Sequence, residues 1–548
     1  MLKKYFFGIA ILCFSFTATA VFATDYYFYI QLTDKNNSPY CLSNPAEFLS
    51  ERAIARRNYF RLAVDSTDLP VNPHYLRKIE AKGFRIHNRT RWLNGATVVT
   101  SDSASINRLE NLDFVKWIEY TGKVNTGNRI ENRRKFALYQ ADDFQQIGVA
   151  SKYGFADAQI SQVNGKYLHN AGFRGDGIYI GVLDAGFFNA DIMPAFESLR
   201  SENRLLGTKD FVNPASDIFR EHSHGSSVLS VMASHVENQH IGTAPMASYW
   251  LVRTENVWLE YLMEMDFWIS GLEFLDSVGI DVVNSSLIYR TFDDPRMNFT
   301  HADMNGRTTR MSRAAEMASQ KGIVVVNSAG NDGNGAWRII GAPADAKGII
   351  TVGAVTSEGV ASNFSSFGPS ADGRIKPEIA ARGSATALMN VNGNVSGNGT
   401  SFSAPIIAGM MACLLQFVRE NHLFVSLDEI LQAVFRSANN HNSPTEQLGF
   451  GIPDFGKAAN FLLASNETPT DIFIFTDALS RTLQVNLGNR SFENAYIQIF
   501  NTTGKILLNQ AIVSEQTTIN TSGFNAGIYA VRILFSNRET KTQKVVIF

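Results

Sequence analysis

Between residues 140 and 460, short unbroken apolar runs alternate with longer helical stretches, and this alternation restricts the fold more than any other feature of the chain. The apolar runs are 178–183, 250–252, 282–284, 323–326 and 350–355, and the helical stretches include 258–278 and 309–321. Strands that are Val/Ile-rich throughout, rather than every second residue, are those buried on both faces. Joined by helices, they form an open parallel sheet with helices on both sides. The expected fold class is therefore α/β, and such sheets place their sites at the carboxyl ends of the strands.

The flanks differ from this section. At 548 residues the chain exceeds one core, and about 100–200 residues per domain implies roughly three units. Lys3 and Lys4 precede an apolar run over 5–16, then Ala18, Ala20 and Ala23, the order of a secretory signal, here assigned to residues 1–23. The run is shorter than the roughly 20 residues that span a bilayer, and no later segment reads as a membrane span. Residues 24–138 mix strand-like runs (27–30, 96–99, 115–120) with helical ones (73–82, 104–112), an α+β module. It ends in the basic cluster Arg133-Arg134-Lys135, in a polar stretch expected to be exposed and open to nicking. Residues 139–464 are the α/β section and 465–470 a polar linker. Over 471–548 the periodicity becomes two: Leu483, Val485 and Leu487, then Ile497 and Ile499, then Tyr529, Val531 and Ile533. With the turn Asn501-Thr502-Thr503-Gly504, this predicts a small β-sandwich.

A net charge of −2 offers no basic field for nucleic acid. Of three cysteines, Cys13 and Cys41 fall in removable segments, and Cys413, in an apolar stretch, reads as a buried structural thiol.

Four segments carry reactive residues. Gly181-Val182-Leu183-Asp184-Ala185-Gly186 delivers a carboxylate at a strand end; taken alone, Asp184 reads first as a helix cap. His222-Ser223-His224-Gly225-Ser226-Ser227-Val228 suits a helix start against the sheet, with His224 a general base near neutral pH. His222 is the alternative, and reads as a solvated loop residue. Gly397-Asn398-Gly399-Thr400-Ser401-Phe402-Ser403-Ala404-Pro405 puts Ser401 at a helix N-terminus, where unpaired amides favour developing negative charge. On this segment alone, Thr400 or Ser401 could simply be an N-cap. Asn331, after the strand 323–326 in Ser328-Ala329-Gly330-Asn331-Asp332-Gly333, either aims its amide into a site or adopts a left-handed turn.

Together these segments resemble the subtilases, the subtilisin-like serine peptidases. Asp184, His224 and Ser401 follow that family's order, unlike the order in trypsin-like enzymes or α/β-hydrolases. Gly242-Thr243-Ala244-Pro245, Asn284-Ser285-Ser286-Leu287 and Gly449-Phe450-Gly451-Ile452-Pro453 are similar to further family segments, so the likeness spans roughly 300 residues. The resemblance implies a secreted serine endopeptidase. Asp184 would orient His224, His224 would take the proton of Ser401, and Asn331 with the Ser401 amide would hold the oxyanion. Substrate backbone would pair against Ser286 and Leu287 on one side and Ser328, Ala329 and Gly330 on the other. It implies no metal in the chemistry; structural calcium is common in the family, yet no ligand set is identifiable here. Phe402, Ser403-Ala404 and Ile288 depart from the usual pattern, affecting packing and the cleft wall rather than the reaction. Residues 24–138 resemble a subtilase propeptide (Leu49-Ser50-Glu51-Arg52-Ala53, Arg91-Trp92-Leu93-Asn94-Gly95) that would inhibit its own enzyme. The sandwich resembles a type IX secretion sorting domain (Asn501 to Gly504, Gly527-Ile528-Tyr529, Lys544-Val545-Val546), implying that machinery as a partner and a secreted or outer-membrane surface location. Other readings are a catalytically dead surface-binding protein, which would have lost one of the four site residues, and a serine esterase, which would need Gly-x-Ser-x-Gly.

Overall fold

The computed structural model describes residues 24–125, 151–465, 472–477, 481–488, 490–525, 527–537 and 539–547. The signal segment, the Arg133-Arg134-Lys135 run and nearly all of the 465–470 linker lie outside the described residues.

The first unit is an antiparallel sheet of β1 (Thr24–Leu32), β2 (Arg85–Thr90), β3 (Gly95–Thr100) and β4 (Val115–Asn125), ordered β2-β3-β1-β4. Alternate residues face opposite sides. Phe28, Ile30 and Val98 meet Leu76 and Ile79 of helix α2 (Pro73–Ala81), which starts on a proline and an Asn72 side-chain cap. Tyr27 and Val99 on the other face meet Met263 and Phe267 of the second unit. Helix α1 (Glu51–Tyr59), capped by Ser50, leaves this module and lies against the second unit. Its Arg56 and Arg57, with Arg91, surround the fully buried Asp276. Burial alone would raise the Asp276 pKa, but the three guanidiniums outweigh it and hold the carboxyl well below the usual range.

The second unit is a seven-stranded parallel sheet. Its strands are β5 (Tyr179–Asp184), β6 (Leu205–Asp210), β7 (Ser248–Arg253), β8 (Val282–Ser285), β9 (Val324–Ser328), β10 (Ile350–Val355) and β11 (Ile379–Arg382). Their order is β11-β10-β9-β8-β5-β7-β6. The five apolar runs are all strands. Successive side chains supply two separate cores, as both-face burial requires. Val282, Val324 and Val326 pack on α3 (His224–Ala233) and α6 (Thr400–Glu420), while Val283 and Val325 pack on α4 (Met263–Val278) and α5 (Arg310–Gln320). The chain reverses its direction of strand addition around β5, and the crevice at that switch point is where such sheets carry ligands. The helix expected from residue 258 begins only at Met263: Glu264 accepts the backbone N–H of Asn256 (2.7 Å) and of Tyr261 (3.2 Å), which holds the preceding residues as a loop. Helix α6 is long and apolar enough to cross a membrane by composition, contrary to the sequence reading, but that stretch is wholly buried in the core.

The last unit stacks a three-stranded sheet on a four-stranded one. The first holds β12 (Phe473–Asp477), β13 (Thr482–Asn486) and β16 (Gln516–Asn520). The second holds β14 (Tyr496–Phe500), β15 (Ile506–Ala511), β17 (Gly527–Leu534) and β18 (Thr540–Ile547). Leu483, Val485, Ile497, Ile499, Val531 and Ile533 fill the space between them, the period-two set. Cys413 is buried with its Sγ 3.1 Å from the Thr243 carbonyl oxygen, and burial pushes the thiol pKa far up, so it is inert packing.

Candidate active site

Asp184 ends β5 and is 0% exposed; His224 opens α3 and is 3% exposed. Nδ1 of His224 is 2.8 Å from Asp184 Oδ1, which also accepts the Ala185 N–H at 2.7 Å. With the Asp184 carboxylate oxygen accepting, Nδ1 is the protonated nitrogen and Nε2 the basic one. The helix can come this close because residue 225 is glycine. A Cβ there would stand 2.4 Å from the Gly186 carbonyl oxygen and 3.0 Å from Asp184 Cβ. His222 is half-buried rather than solvated, and its Nδ1 accepts the backbone N–H of His224 at 3.2 Å, fixing the start of α3.

Ser401 is the second residue of α6, behind Gly399, whose φ of 151° suits glycine. Neither Thr400 nor Ser401 is the N-cap. Thr400 instead donates from its backbone N–H (2.9 Å) and its hydroxyl (3.0 Å) to Asn331 Oδ1, and its hydroxyl oxygen accepts the Gly330 N–H (3.1 Å). The Asn331 carbonyl oxygen is thereby occupied, which leaves its NH2 as the group offered to the cleft. Asn331 is not left-handed; the positive φ of this turn falls on Gly330, at 111°.

Pro405 lies inside α6. Four residues before it is Ser401, whose carbonyl oxygen a proline cannot bond. The Ser286 hydroxyl takes that oxygen at 2.9 Å, and Ser286 Oγ in turn accepts from Asn284 Nδ2 at 3.2 Å. One side chain thus joins the strand expected to pair with substrate to the backbone of the expected nucleophile.

Ser401, Asn331, Ser286, Leu287, Ser328 and Gly330 line one cavity of about 300 Å³. Ile288 is on its wall, as its place in the sequence implies. Ala329 is buried behind the surface and is not among the lining residues. The His224 ring lies 6.0 Å, centroid to centroid, from that of Phe402, next to Ser401. Asn331 also borders a second cavity of about 710 Å³, with Asn334, Phe364 and Asn398.

Sequence reasoning missed Thr400 as the residue orienting Asn331, and it missed Glu255 and Glu260, which also line the Ser401 cavity. Nothing local marks them, because loop packing brings them there. With Glu264 they form, among the described residues, a group of carboxylate oxygens within 4.8 Å of one another. Calcium takes six to eight oxygen ligands. Here Glu264 is engaged by two backbone amides and Glu255 by the Tyr289 hydroxyl, so three carboxylates alone do not complete such a site.

Comparison with known proteins gives three family matches. Residues 175–452 match the subtilase family, residues 27–136 the peptidase S8 propeptide domain of Bacteroidota, and residues 479–548 a secretion system C-terminal sorting domain. That last domain marks the chain for secretion and attachment at the cell surface. Subtilisin NAT of Bacillus subtilis subsp. natto is 25% identical over 62% of this chain and 74% of its own length. Subtilisin DY of Bacillus licheniformis is 29% identical over 44% of this chain and 78% of its own. The protease domain of PatA shares 20% identity over 54% of this chain and 98% of that one, at a TM-score of 0.43. The subtilase match takes in all seven strands of the parallel sheet, the crevice at its switch point and helix α6, so the chain belongs to the subtilase family of serine peptidases.

Proposed function

We propose that the chain is a secreted serine endopeptidase, made as an autoprocessed zymogen, with Asp184, His224 and Ser401 as its triad. The carrying observation is the 2.8 Å contact of Asp184 Oδ1 with His224 Nδ1, on a helix whose first ring faces the residue after Ser401. Asp184 holds the imidazole in one tautomer and supports the imidazolium. Nε2 accepts the Ser401 proton as Oγ attacks the peptide carbonyl, and returns it to the leaving amine. The NH2 of Asn331 and the backbone N–H of Ser401 hold the oxyanion. Substrate backbone adds as a strand between Ser286-Leu287 and Ser328-Ala329-Gly330. Water then releases the acyl group. No metal takes part in these steps.

The proposed boundaries are 1–23 signal, 24–138 propeptide, 139–464 peptidase, 465–470 linker and 471–548 sorting domain; one family match lies inside each of the propeptide, peptidase and sorting-domain spans. Partners are protein or peptide substrates, the chain's own propeptide as inhibitor, and the type IX secretion machinery. A dead surface-binding protein is the weaker reading, since all four site residues are present.

The test is expression of wild type beside Ser401→Ala, with mass spectrometry of both and a casein assay. Wild type should lose its propeptide and cleave casein, and Ser401→Ala should do neither. Casein cleavage retained by Ser401→Ala would refute the assignment.

A further inference from the structure

One aliphatic side chain lies across the cavity beside Ser401. Residues 286–291, which follow β8, and residues 328–332, at the end of β9, both border that cavity. Ile288 is half-buried and reaches from the first segment to the second. A Cβ at Gly330 would stand 2.6 Å from Ile288 Cδ1, well inside the roughly 3.5–4.0 Å at which carbons pack. The isoleucine thus rests directly on the glycine backbone.

A third segment borders the same side chain. Tyr289 and Ala342 exchange backbone hydrogen bonds, at 2.8 Å from the Tyr289 N–H and 3.1 Å from the Ala342 N–H. A Cβ at Gly341 would meet Ile288 Cβ at 3.4 Å and Cδ1 at 3.5 Å. Ile288 therefore fills the room that two glycines leave between three backbone segments. Two residues on, Arg290 pairs with both carboxylate oxygens of Asp332 (Nε to Oδ2 2.7 Å), a second link between the two walls. The obstacle is stiff as well as fixed at its base, because a β-branched side chain has few χ1 rotamers open to it.

A substrate strand added between Ser286-Leu287 and Ser328-Ala329-Gly330 brings the attacked carbonyl to Ser401 and Asn331, which line this cavity with Ile288. The side chain of the residue that carries this carbonyl then enters the cavity, and Ile288 sets how far it can go. Protein interiors are close-packed, and forcing a ring against a pinned side chain displaces the backbone that holds it.

We propose that Ile288 is a specificity-determining residue, which restricts the residue on the acyl side of the scissile bond to small side chains such as alanine or serine and shuts out aromatic ones. This rests on the peptidase reading above and adds its substrate class.

The test uses the mature enzyme and uncharged quenched-fluorescence peptides that differ only in the residue before the cut, alanine, leucine or phenylalanine, with the cut position read by mass spectrometry. For the wild type, kcat/KM for alanine should exceed that for phenylalanine by about 10-fold or more, with leucine between them. Ile288→Gly should raise cleavage after phenylalanine by about 10-fold or more and change cleavage after alanine by less than about 3-fold. Ile288→Ala, which keeps the backbone preference of an ordinary residue, should fall between the two enzymes. Ser401-dependent cleavage after phenylalanine as fast as after alanine in the wild type, or an alanine-to-phenylalanine ratio unmoved in both variants, would overturn the size limit and leave the peptidase reading standing. Absence of Ser401-dependent cleavage of every peptide would overturn both.

Discussion

At the scale of single residues, the serine helix contains a substitution of one hydrogen bond for another. Pro405 removes the N–H that would bond the Ser401 carbonyl, and the Ser286 hydroxyl supplies a donor from a different strand. Ser286→Ala should leave a buried carbonyl with no donor and destabilise the fold by about 1–3 kcal/mol. Pro405→Ala returns a donor to the same oxygen, so Ser286→Ala should cost far less in that background. Thermal unfolding of the four proteins, all carrying Ser401→Ala to prevent autolysis, would show it; strictly additive losses would mean the two donors do not share that carbonyl. The candidate triad residues were legible in the sequence because each sits in a short stretch of small residues whose chemistry is local. The supporting contacts were not. Thr400 reads as a cap until Gly399 is seen to hold that position, and the Glu255–Glu260 wall exists only once a loop has folded onto the cleft.

At the scale of elements, both-face burial made five strands visible, whereas β6 and β11 escaped notice. Leu205–Asp210 is an edge strand, mostly half-exposed and interrupted by Gly207; Ile379–Arg382 is four residues long. The charged contacts between α1, β2 and α4 were equally hidden, since pairing across 180 residues and more leaves no periodicity. A different contact of β2 should titrate. His87 on β2 has Nε2 2.9 Å from the Phe211 carbonyl oxygen and its ring centroid 5.0 Å from that of Phe267. Burial first, then Arg85, lower its pKa below 6.5, against the opposing pull of the Phe211 carbonyl, Asp210 and Asp25. A released His87 would titrate near its ordinary value, so the docked propeptide gains stability above about pH 6.5 and loses it as pH falls through the lower docked value. Asp266, raised to about 6 by burial against Arg310, works in the opposite sense. The histidine is therefore isolated by comparison with His87→Phe, which keeps the aromatic contact and cannot titrate. Release of the cleaved propeptide, followed by gel filtration, should quicken between about pH 7.5 and 5.5 in wild type and lose most of that response in the variant. An identical response in both would remove His87 from the account.

At the scale of the whole molecule, the three units meet around one short helix. The sandwich contacts α1 of the propeptide through β12, and a cavity of about 430 Å³ there is bordered by Arg52 and Tyr59 of α1, Arg419 and Leu423 of the peptidase, and Thr476 and Gln484 of the sandwich. The Tyr59 hydroxyl donates to the Leu423 carbonyl oxygen at 2.9 Å, tying α1 to the end of the serine helix. Loss of the propeptide removes the element on which the sandwich rests. The sandwich has its own closed hydrophobic core, so it should stay folded while the face that rested on α1 becomes accessible. That access can be read at Gln484, on the cavity shared with α1. With Gln484→Cys, a thiol reagent should label that position several-fold faster in mature enzyme blocked at its serine than in uncleaved Ser401→Ala zymogen, since labelling follows the population of open states when opening is rapid. Equal rates would mean the propeptide does not restrain the sandwich, and that α1 holds the sorting domain no more firmly than the linker alone.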